Sequence, residues 1–296
     1  MNTKTTVMLG LKVIILTILL VVIGRIAFAV VGLKDAAQAA DPTGTIIGLL
    51  IARALQTIVL SYVIIRSRWS GWRLVVTTFV VFYGIEVFLS LIEAVAFLQH
   101  FVDIIPAEEM PKMFLHGAIT TALFSPLAVL VHGKMKGTEA SQEPNLRLVM
   151  PWTVWTRRLI LIAIIYMVIY FLFGIFVAMP LGGEAFQEYY GDLQLPAWIF
   201  PFQLLRGLIF TALALPVIRM MKGRWWETGL AVALLFSVLM AAGLFVPQEF
   251  MPGRVRMAHF VEIFSSNFLF GWIVVWVLNR RHGSRRKISE RSEGNG

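Results

Sequence analysis

The segment from Arg254 to Trp272 reads RVRMAHFVEIFSSNFLFGW and combines a long apolar run with ionisable side chains. Residues three, four and seven positions apart share one face of an α-helix. His259, Glu262 and Ser266 are therefore predicted to form one stripe, with Asn267 at its edge. This pattern predicts a membrane-spanning helix that is polar on one side of its first half. Such polar groups usually face a bundle interior or a cavity, because exposing them to lipid is costly.

The composition of the whole chain is typical of an integral membrane protein. Of the 296 residues, 58% are hydrophobic and 15% are charged, and the mean hydropathy is +0.78. Soluble domains average about 45–50% apolar and about 25% charged residues, and a membrane-spanning helix needs about 20 mostly apolar residues. The predicted class is an all-α, polytopic membrane protein with about eight transmembrane helices. The candidate segments are roughly 9–31, 46–66, 73–98, 113–133, 157–179, 199–219, 227–246 and 258–279.

The cations are distributed unevenly between the connecting segments. The N-terminus, every second loop and the C-terminal segment together carry 19 of the 26 Lys and Arg residues, whereas the intervening loops carry four. The positive-inside rule then predicts a multi-pass protein of the cell membrane with both termini in the cytoplasm. Because this bias accounts for the formal net charge of +9, no nucleic acid partner is predicted. The expected surroundings are the lipid bilayer, with anionic headgroups near the basic tail.

The sequence also indicates an internal duplication. A shift of 153 positions aligns Arg53 with Arg206 and Trp72 with Trp225, and several apolar positions match as well. Each half then has four spans, an even number, so both halves enter the membrane in the same orientation and form parallel repeats. The predicted organisation is a first four-helix repeat (1–133), a cytoplasmic linker (134–156), a second four-helix repeat (157–279) and a basic cytoplasmic tail (280–296).

Ionisable side chains inside the predicted spans are the candidates for a functional site. Charges in hydrocarbon are costly, so they are expected to pair across helices or to line a cavity. The arginines are expected to meet Glu93 and Glu262. His259 and Glu262 are expected to share an outward-facing pocket with Arg206, and with Arg53 or Glu93. A purely structural role in helix packing is the alternative for each residue. The candidates for substrate binding or buried ion pairs are Arg53, Glu86, Glu93, His116, Arg206, His259, Glu262 and Asn267.

Metal binding is a weaker hypothesis for the same residues. His259 and Glu262 place an imidazole and a carboxylate on one helical face, and His116 with Glu93 would complete a four-ligand set that zinc or iron accepts. The HExxH pattern is absent. The absence of cysteine excludes disulfides, thiolate catalysis and Cys-ligated zinc. No phosphate-binding glycine loop or nucleophile-elbow motif occurs, so no cofactor is predicted.

Three functions are compatible with this pattern. The leading hypothesis is a small-molecule or ion transporter, because parallel repeats with charges between them suit a central path. The polar groups concentrate in the outer leaflet, which also suits a membrane-embedded enzyme with an outward-facing active site. In that enzyme Glu262 or Glu93 would be the base, and arginines would bind an anionic group. The third is a non-catalytic assembly or partner protein whose charges only fix the helix packing.

The predicted orientation can be tested with reporter fusions. A green fluorescent protein fused after Gly296 is expected to fluoresce and an alkaline phosphatase at the same point to be inactive, because cation-rich segments stay in the cytoplasm. A phosphatase inserted after Gly191, in a predicted outer loop, is the control and is expected to be active. An active phosphatase after Gly296 would contradict the orientation.

Overall fold

The computed structural model describes residues 3–33, 41–97, 107–136, 148–191, 195–247 and 251–279. In this part of the chain eight helices are long and apolar enough to cross a membrane, which confirms the predicted all-α class and the number of long apolar helices. The predicted basic tail, residues 280–296, lies outside the described residues. The long helices are α1 (Thr3–Val31), α2 (Pro42–Arg66), α3 (Gly71–Ala96), α4 (Ala107–Val131), α5 (Trp152–Gly182), α6 (Ile199–Met220), α7 (Trp225–Phe245) and α8 (Gly253–Asn279).

The outward faces of these helices are apolar. Large hydrophobic side chains project from the bundle along whole helices, and on α1 they include Ile14, Ile18 and Ile26 at 58%, 55% and 55% exposure. A soluble protein rarely leaves an apolar surface of this extent in water. The helices are therefore consistent with a multi-pass membrane protein surrounded by a lipid bilayer.

Local sequence explains where helices begin and where they are irregular. Asp41 caps α2 by accepting a hydrogen bond from the Gly44 N–H at 2.8 Å, and Pro42 follows it at the first helical position. Two long helices contain π-helical turns, Tyr83–Phe88 in α3 and Gly174–Ala178 in α5. Such turns occur frequently at functional sites, and the first of them contains one of the predicted site residues.

The helices of the two halves have corresponding neighbours within the described residues. In the first half, α1 packs against α2 and α4, α2 against α3 and α4, and α3 against α4. In the second half, α5 packs against α6 and α8, α6 against α7 and α8, and α7 against α8. Between the halves, α2 packs against α7 and α6 packs against α3, while α3 and α7 contact each other. The neighbours of each helix in the first half are thus matched, helix for helix, in the second.

Where α2 and α6 end, the segments that follow them pair with each other. Ser67 and Met221 form an isolated antiparallel bridge. The N–H of Arg68 donates at 2.7 Å to the carbonyl of the residue before Met221, and the N–H of Lys222 donates at 2.9 Å to the carbonyl of the residue before Ser67. These backbone bonds join the two halves at one end of the bundle, which is called the basic end below.

Side chains strengthen this junction. Arg66 forms an ion pair with Glu227 at the start of α7, and the Lys134 ammonium donates to the Ser67 carbonyl at 2.8 Å. Burial, together with the neighbouring charge of Lys222, lowers the pKa of Lys134. The basic end is therefore held closed by a backbone bridge and by charged side chains from both halves.

Glycines allow the closest helix contacts. A Cβ atom on Gly271 of α8 would lie 2.7 Å from the Ala233 Cα of α7, and one on Gly207 of α6 would lie 3.2 Å from the Ala163 Cα of α5. Small residues commonly allow membrane helices to approach in this way. Phe210, which lies on α6 with Gly207, is fully buried in the same region.

The substitution Gly271→Ala is expected to lower the thermal stability of the protein in detergent. The added methyl group would meet α7 backbone, which cannot move aside as a side chain can, and overpacking of this kind costs about 1–3 kcal/mol. Gly10→Ala is the matched control, because a Cβ at that helical position meets nothing within 4 Å. Equal melting temperatures for the two variants would contradict the close packing of α7 on α8.

Candidate functional site

Arg206 is a buried cation between the two halves. Its side chain is 2% exposed, and its Nη2 atom lies 2.9 Å from the Glu93 Oε2 atom of α3, whose side chain is 29% exposed. The same nitrogen donates to the Leu89 carbonyl at 3.3 Å, and Nη1 donates to the Gln203 amide oxygen at 3.1 Å. The α6 arginine is thus held by a carboxylate and a carbonyl from the first half.

Aromatic residues surround this pair. The Arg206 guanidinium lies 5.8 Å from the ring centres of both Tyr166 and Phe202, within the range of cation–π attraction. The charges of Glu93 and Glu262 both act on Tyr166, and both act on Tyr170 as well. Arg206, Glu93 and the aromatic residues beside them thus form one polar cluster, and Glu262 of α8 lies within electrostatic reach of the same two phenols.

Two donors in this cluster have no hydrogen-bond partner among the described residues. They are the Nε atom of Arg206 and the side-chain amide nitrogen of Gln203. Arg206 is 1% exposed and Gln203 is fully buried. Buried polar groups are normally paired, and leaving one unpaired costs about 1–3 kcal/mol. Two adjacent N–H donors, one of them cationic, suit an acceptor group such as a carboxylate.

Arg53 forms a second pair that lies wholly in the first half. Its Nη1 atom is 2.7 Å from Glu86 Oε1, and Gln56 bonds both groups, accepting from Arg53 at 2.9 Å and donating to Glu86 at 3.0 Å. Glu86 lies in the π-helical turn of α3. Nearby, His116 donates from Nε2 to the Gly24 carbonyl at 3.1 Å. The Arg53–Glu86 pair and the glutamine that bonds both of them come from helices of one half, which favours a structural role.

A hydroxyl, an imidazole and a carboxylate form a chain at the opposite end of the bundle, called the far end below. The Tyr190 hydroxyl lies 3.0 Å from His259 Nε2, and His259 Nδ1 lies 2.8 Å from Glu262 Oε2. Tyr190 ends the short helix Glu184–Tyr190, which packs against α8. Burial and then the neighbouring Tyr189 and carboxylates raise the pKa of the Tyr190 phenol, so it keeps its proton at neutral pH.

The remaining polar residues of α8 bond to their own helix. Asn267 donates to the Ile263 carbonyl at 2.9 Å, and Ser266 donates to the same carbonyl at 3.3 Å. The Asn267 amide oxygen is buried without a hydrogen-bond partner in the described part of the chain. Among the residues that the structure describes, neither side chain bonds to a neighbouring helix or to the far-end chain.

The described histidines and carboxylates are spread over separate places in the bundle. In the described residues no group of three or more His, Cys, Asp or Glu side chains is close enough to hold a metal ion. His116 is bonded to a backbone carbonyl, and His259 is bonded to Tyr190 and Glu262. Each imidazole is thus engaged in hydrogen bonding rather than directed at a shared centre.

The structure assigns each buried carboxylate a partner. Glu93 is paired with an arginine, whereas Glu262 is paired with His259 of its own helix rather than with an arginine. Sequence analysis did not single out Gln56, Gln203 or Tyr190. Each glutamine lies three positions from an arginine, on the same helical face, and this spacing could have predicted the hydrogen bond between them.

Compared with known proteins, this chain matches no protein-family model, no curated protein and no solved structure. The geometry of the buried cluster is therefore the observation from which function can be inferred.

Glu93→Ala is expected to destabilise the protein by about 3–5 kcal/mol, because it leaves the buried Arg206 charge without its carboxylate. The double variant Glu93→Leu/Arg206→Met removes both charges and is expected to recover most of that loss. Thermal or denaturant unfolding in detergent measures both effects. Glu188→Ala removes an exposed carboxylate and is the control, with an expected change within about 0.5 kcal/mol. A double variant no more stable than Glu93→Ala would contradict a buried pair.

Proposed function

We propose that this protein is a transporter of a small solute across the cell membrane, with a binding site at Arg206 between two parallel four-helix repeats. The observation that carries the proposal is the Arg206–Glu93 pair. It joins the two halves inside the bundle, and the Nε atom of Arg206 and the amide nitrogen of Gln203, which have no partner among the described residues, could donate to an acceptor group of a solute. A site at a repeat interface, near the middle of the membrane, is the usual arrangement in secondary transporters.

The corresponding neighbours of the two halves support the repeat. A two-fold axis along the membrane normal requires that contacts of α2 with α7 be mirrored by contacts of α6 with α3, and both occur. The same axis requires equivalent residues to face each other where the halves meet, as in the bridge between Ser67 and Met221. These two residues are 154 positions apart, one more than the 153-position shift that aligns both Arg53 with Arg206 and Trp72 with Trp225, so the bridge is one residue out of register with the sequence alignment.

The two ends of the bundle differ in a way that suits alternating access. At the basic end, proposed to face the cytoplasm, the halves are joined by backbone bonds and by the Arg66–Glu227 pair. Towards the far end, the contact between halves includes the partly exposed Glu93. This arrangement corresponds to a state that is closed on the cytoplasmic side. Rocking of the halves about the Arg206 site would break the bridge and open that side.

Electrostatics restricts the solute. Arg206 and Glu93 together carry no net charge, and a net charge in the bilayer interior is costly. A carboxylate solute that binds the spare donors therefore needs a compensating positive charge. An amine on the same molecule would supply it, as would a proton bound together with the solute. The proposed substrates are small carboxylates of either kind.

A membrane-embedded enzyme is the second candidate, and the Tyr190–His259–Glu262 chain is the observation that favours it. The order of hydroxyl, imidazole and carboxylate is that of a hydrolase triad. The raised pKa of the Tyr190 phenol makes it a poor nucleophile, which favours transport over covalent catalysis. The two proposals differ in whether the site can be reached from both sides of the membrane.

Accessibility of a single introduced thiol tests the proposal. The chain contains no cysteine, so each variant carries one thiol only. Phe202→Cys places it beside the Arg206 guanidinium, and Leu205→Cys places it on the outward, lipid-facing side of the same helix. In proteoliposomes, a membrane-impermeant charged methanethiosulfonate is added to either face, and the labelled fraction is measured by mass spectrometry.

Transport predicts that Phe202→Cys is labelled from both faces and Leu205→Cys from neither, because a thiol in hydrocarbon does not ionise. Labelling of Phe202→Cys from one face only would identify a blind pocket and overturn transport in favour of the enzyme. Labelling from neither face would show a sealed, structural ion pair and exclude both proposals.

A further inference from the structure

The far-end chain joins two separate elements of the fold. Tyr190 belongs to the short helix at the edge of the bundle, whereas His259 and Glu262 belong to α8. The tyrosine is half-buried, and the glutamate is 9% exposed. The chain of hydrogen bonds thus runs from the rim of the bundle to its interior.

The geometry accommodates both charge states of His259. In the neutral state, the Tyr190 hydroxyl donates to Nε2 and the Nδ1–H group donates to Glu262. In the protonated state, Nε2–H donates to the Tyr190 oxygen, after the hydroxyl hydrogen has turned away, and Nδ1–H still donates to Glu262. No hydrogen bond is lost on protonation, because a hydroxyl can act as donor or acceptor.

We infer that Tyr190, His259 and Glu262 form a proton relay that carries protons from the far end to Glu262, in the first half of α8. The inference rests on the proposed transport function, since it identifies the source of the proton that accompanies a carboxylate solute. The side chains of the relay lie within hydrogen-bond distance of one another at every step.

The proton moves in two balanced steps. A hydronium ion at the rim gives a proton to the Tyr190 oxygen as the original hydroxyl proton passes to His259 Nε2, so the tyrosine stays neutral and the imidazole becomes cationic. The Nδ1 proton then passes to Glu262 Oε2, which leaves a neutral imidazole with its proton on Nε2 and a neutral carboxyl group. The net change is one proton taken from water and bound by Glu262.

The titratable groups that contact the relay belong to the short helix and to α8. The Tyr190 ring packs against the His259 ring and against the Tyr189 ring. Tyr166 and Tyr170 of α5 lie within electrostatic reach of Glu262, and also of Glu93 on α3 and Arg206 on α6. The Arg206–Glu93 ion pair has no net charge.

Infrared difference spectroscopy of the protein in lipid tests this inference without any solute. The buffer is stepped from about pH 8 to about pH 5, a range in which histidine changes charge. The wild type is expected to show the carbonyl stretch of a newly protonated carboxyl group. This band is expected to be absent in Glu262→Gln and retained in Glu93→Gln.

The rate of appearance of the band tests the route. Tyr190→Phe removes one oxygen atom and His259→Gln removes the imidazole, and both are expected to slow the band at least about tenfold, as loss of a positioned proton carrier does. Tyr189→Phe is the matched control and is expected to behave as the wild type, because His259 bonds to the adjacent phenol. Thermal unfolding checks that each variant is folded, and Tyr190→Phe is the mildest change.

A band that persists in Glu262→Gln would overturn the inference, as would an unchanged rate in Tyr190→Phe. The infrared signal requires no movement of solute, and thiol labelling from both faces requires no proton uptake. A failed relay with a two-sided path would therefore leave transport intact. A one-sided path with an intact relay would instead overturn transport alone.

Discussion

The buried charge of Arg206 is the constraint on which the rest of the polar cluster depends. A guanidinium with a side-chain exposure of 2% requires a nearby carboxylate, and Glu93 of the other half supplies it. This ion pair holds α3 beside α6, and it therefore joins the two halves of the bundle. The glutamine on the same helix and the Leu89 carbonyl take further donors of the arginine. The Nε atom of Arg206 and the amide nitrogen of Gln203 have no partner among the described residues, and the proposed solute site rests on these two donors.

The helices of the bundle pack closely around the Arg206–Glu93 pair. Where glycines allow backbones to approach, as between α7 and α8 at Gly271, the helices are held by many van der Waals contacts rather than by side-chain charges. The same neighbours occur around corresponding helices of the two halves, and the halves are also joined by the bridge at the basic end. The proposed rocking motion would take place at the polar contact between the halves.

The Arg53–Glu86 and Arg206–Glu93 pairs differ in their surroundings, and we propose a structural role for the first and solute binding for the second. Arg53 and Glu86 lie in the same half, and Gln56 bonds both of them. Arg206 and Glu93 lie in different halves, and the donors beside them are not all satisfied. The proposed relay ends at Glu262, whose charge influences the same two tyrosines, Tyr166 and Tyr170, as the second pair does. Protons and solute are therefore proposed to meet at the interface between the halves, where a change in charge can alter how the halves contact each other.

The amino-acid sequence by itself determined the all-helical class and the number of long apolar helices, because apolar runs of about 20 residues match the length of helix that crosses a bilayer. It also determined that buried charges need partners. Only the tertiary structure decided the partners, since Glu93 could have met either arginine, and Glu262 found His259 three residues away on its own helix. Tyr190 lies 69 residues from His259, and local patterns contain no information about which connecting segment folds back onto α8. Helical periodicity specifies the face on which a side chain lies, whereas the packing of whole helices specifies what that face contacts.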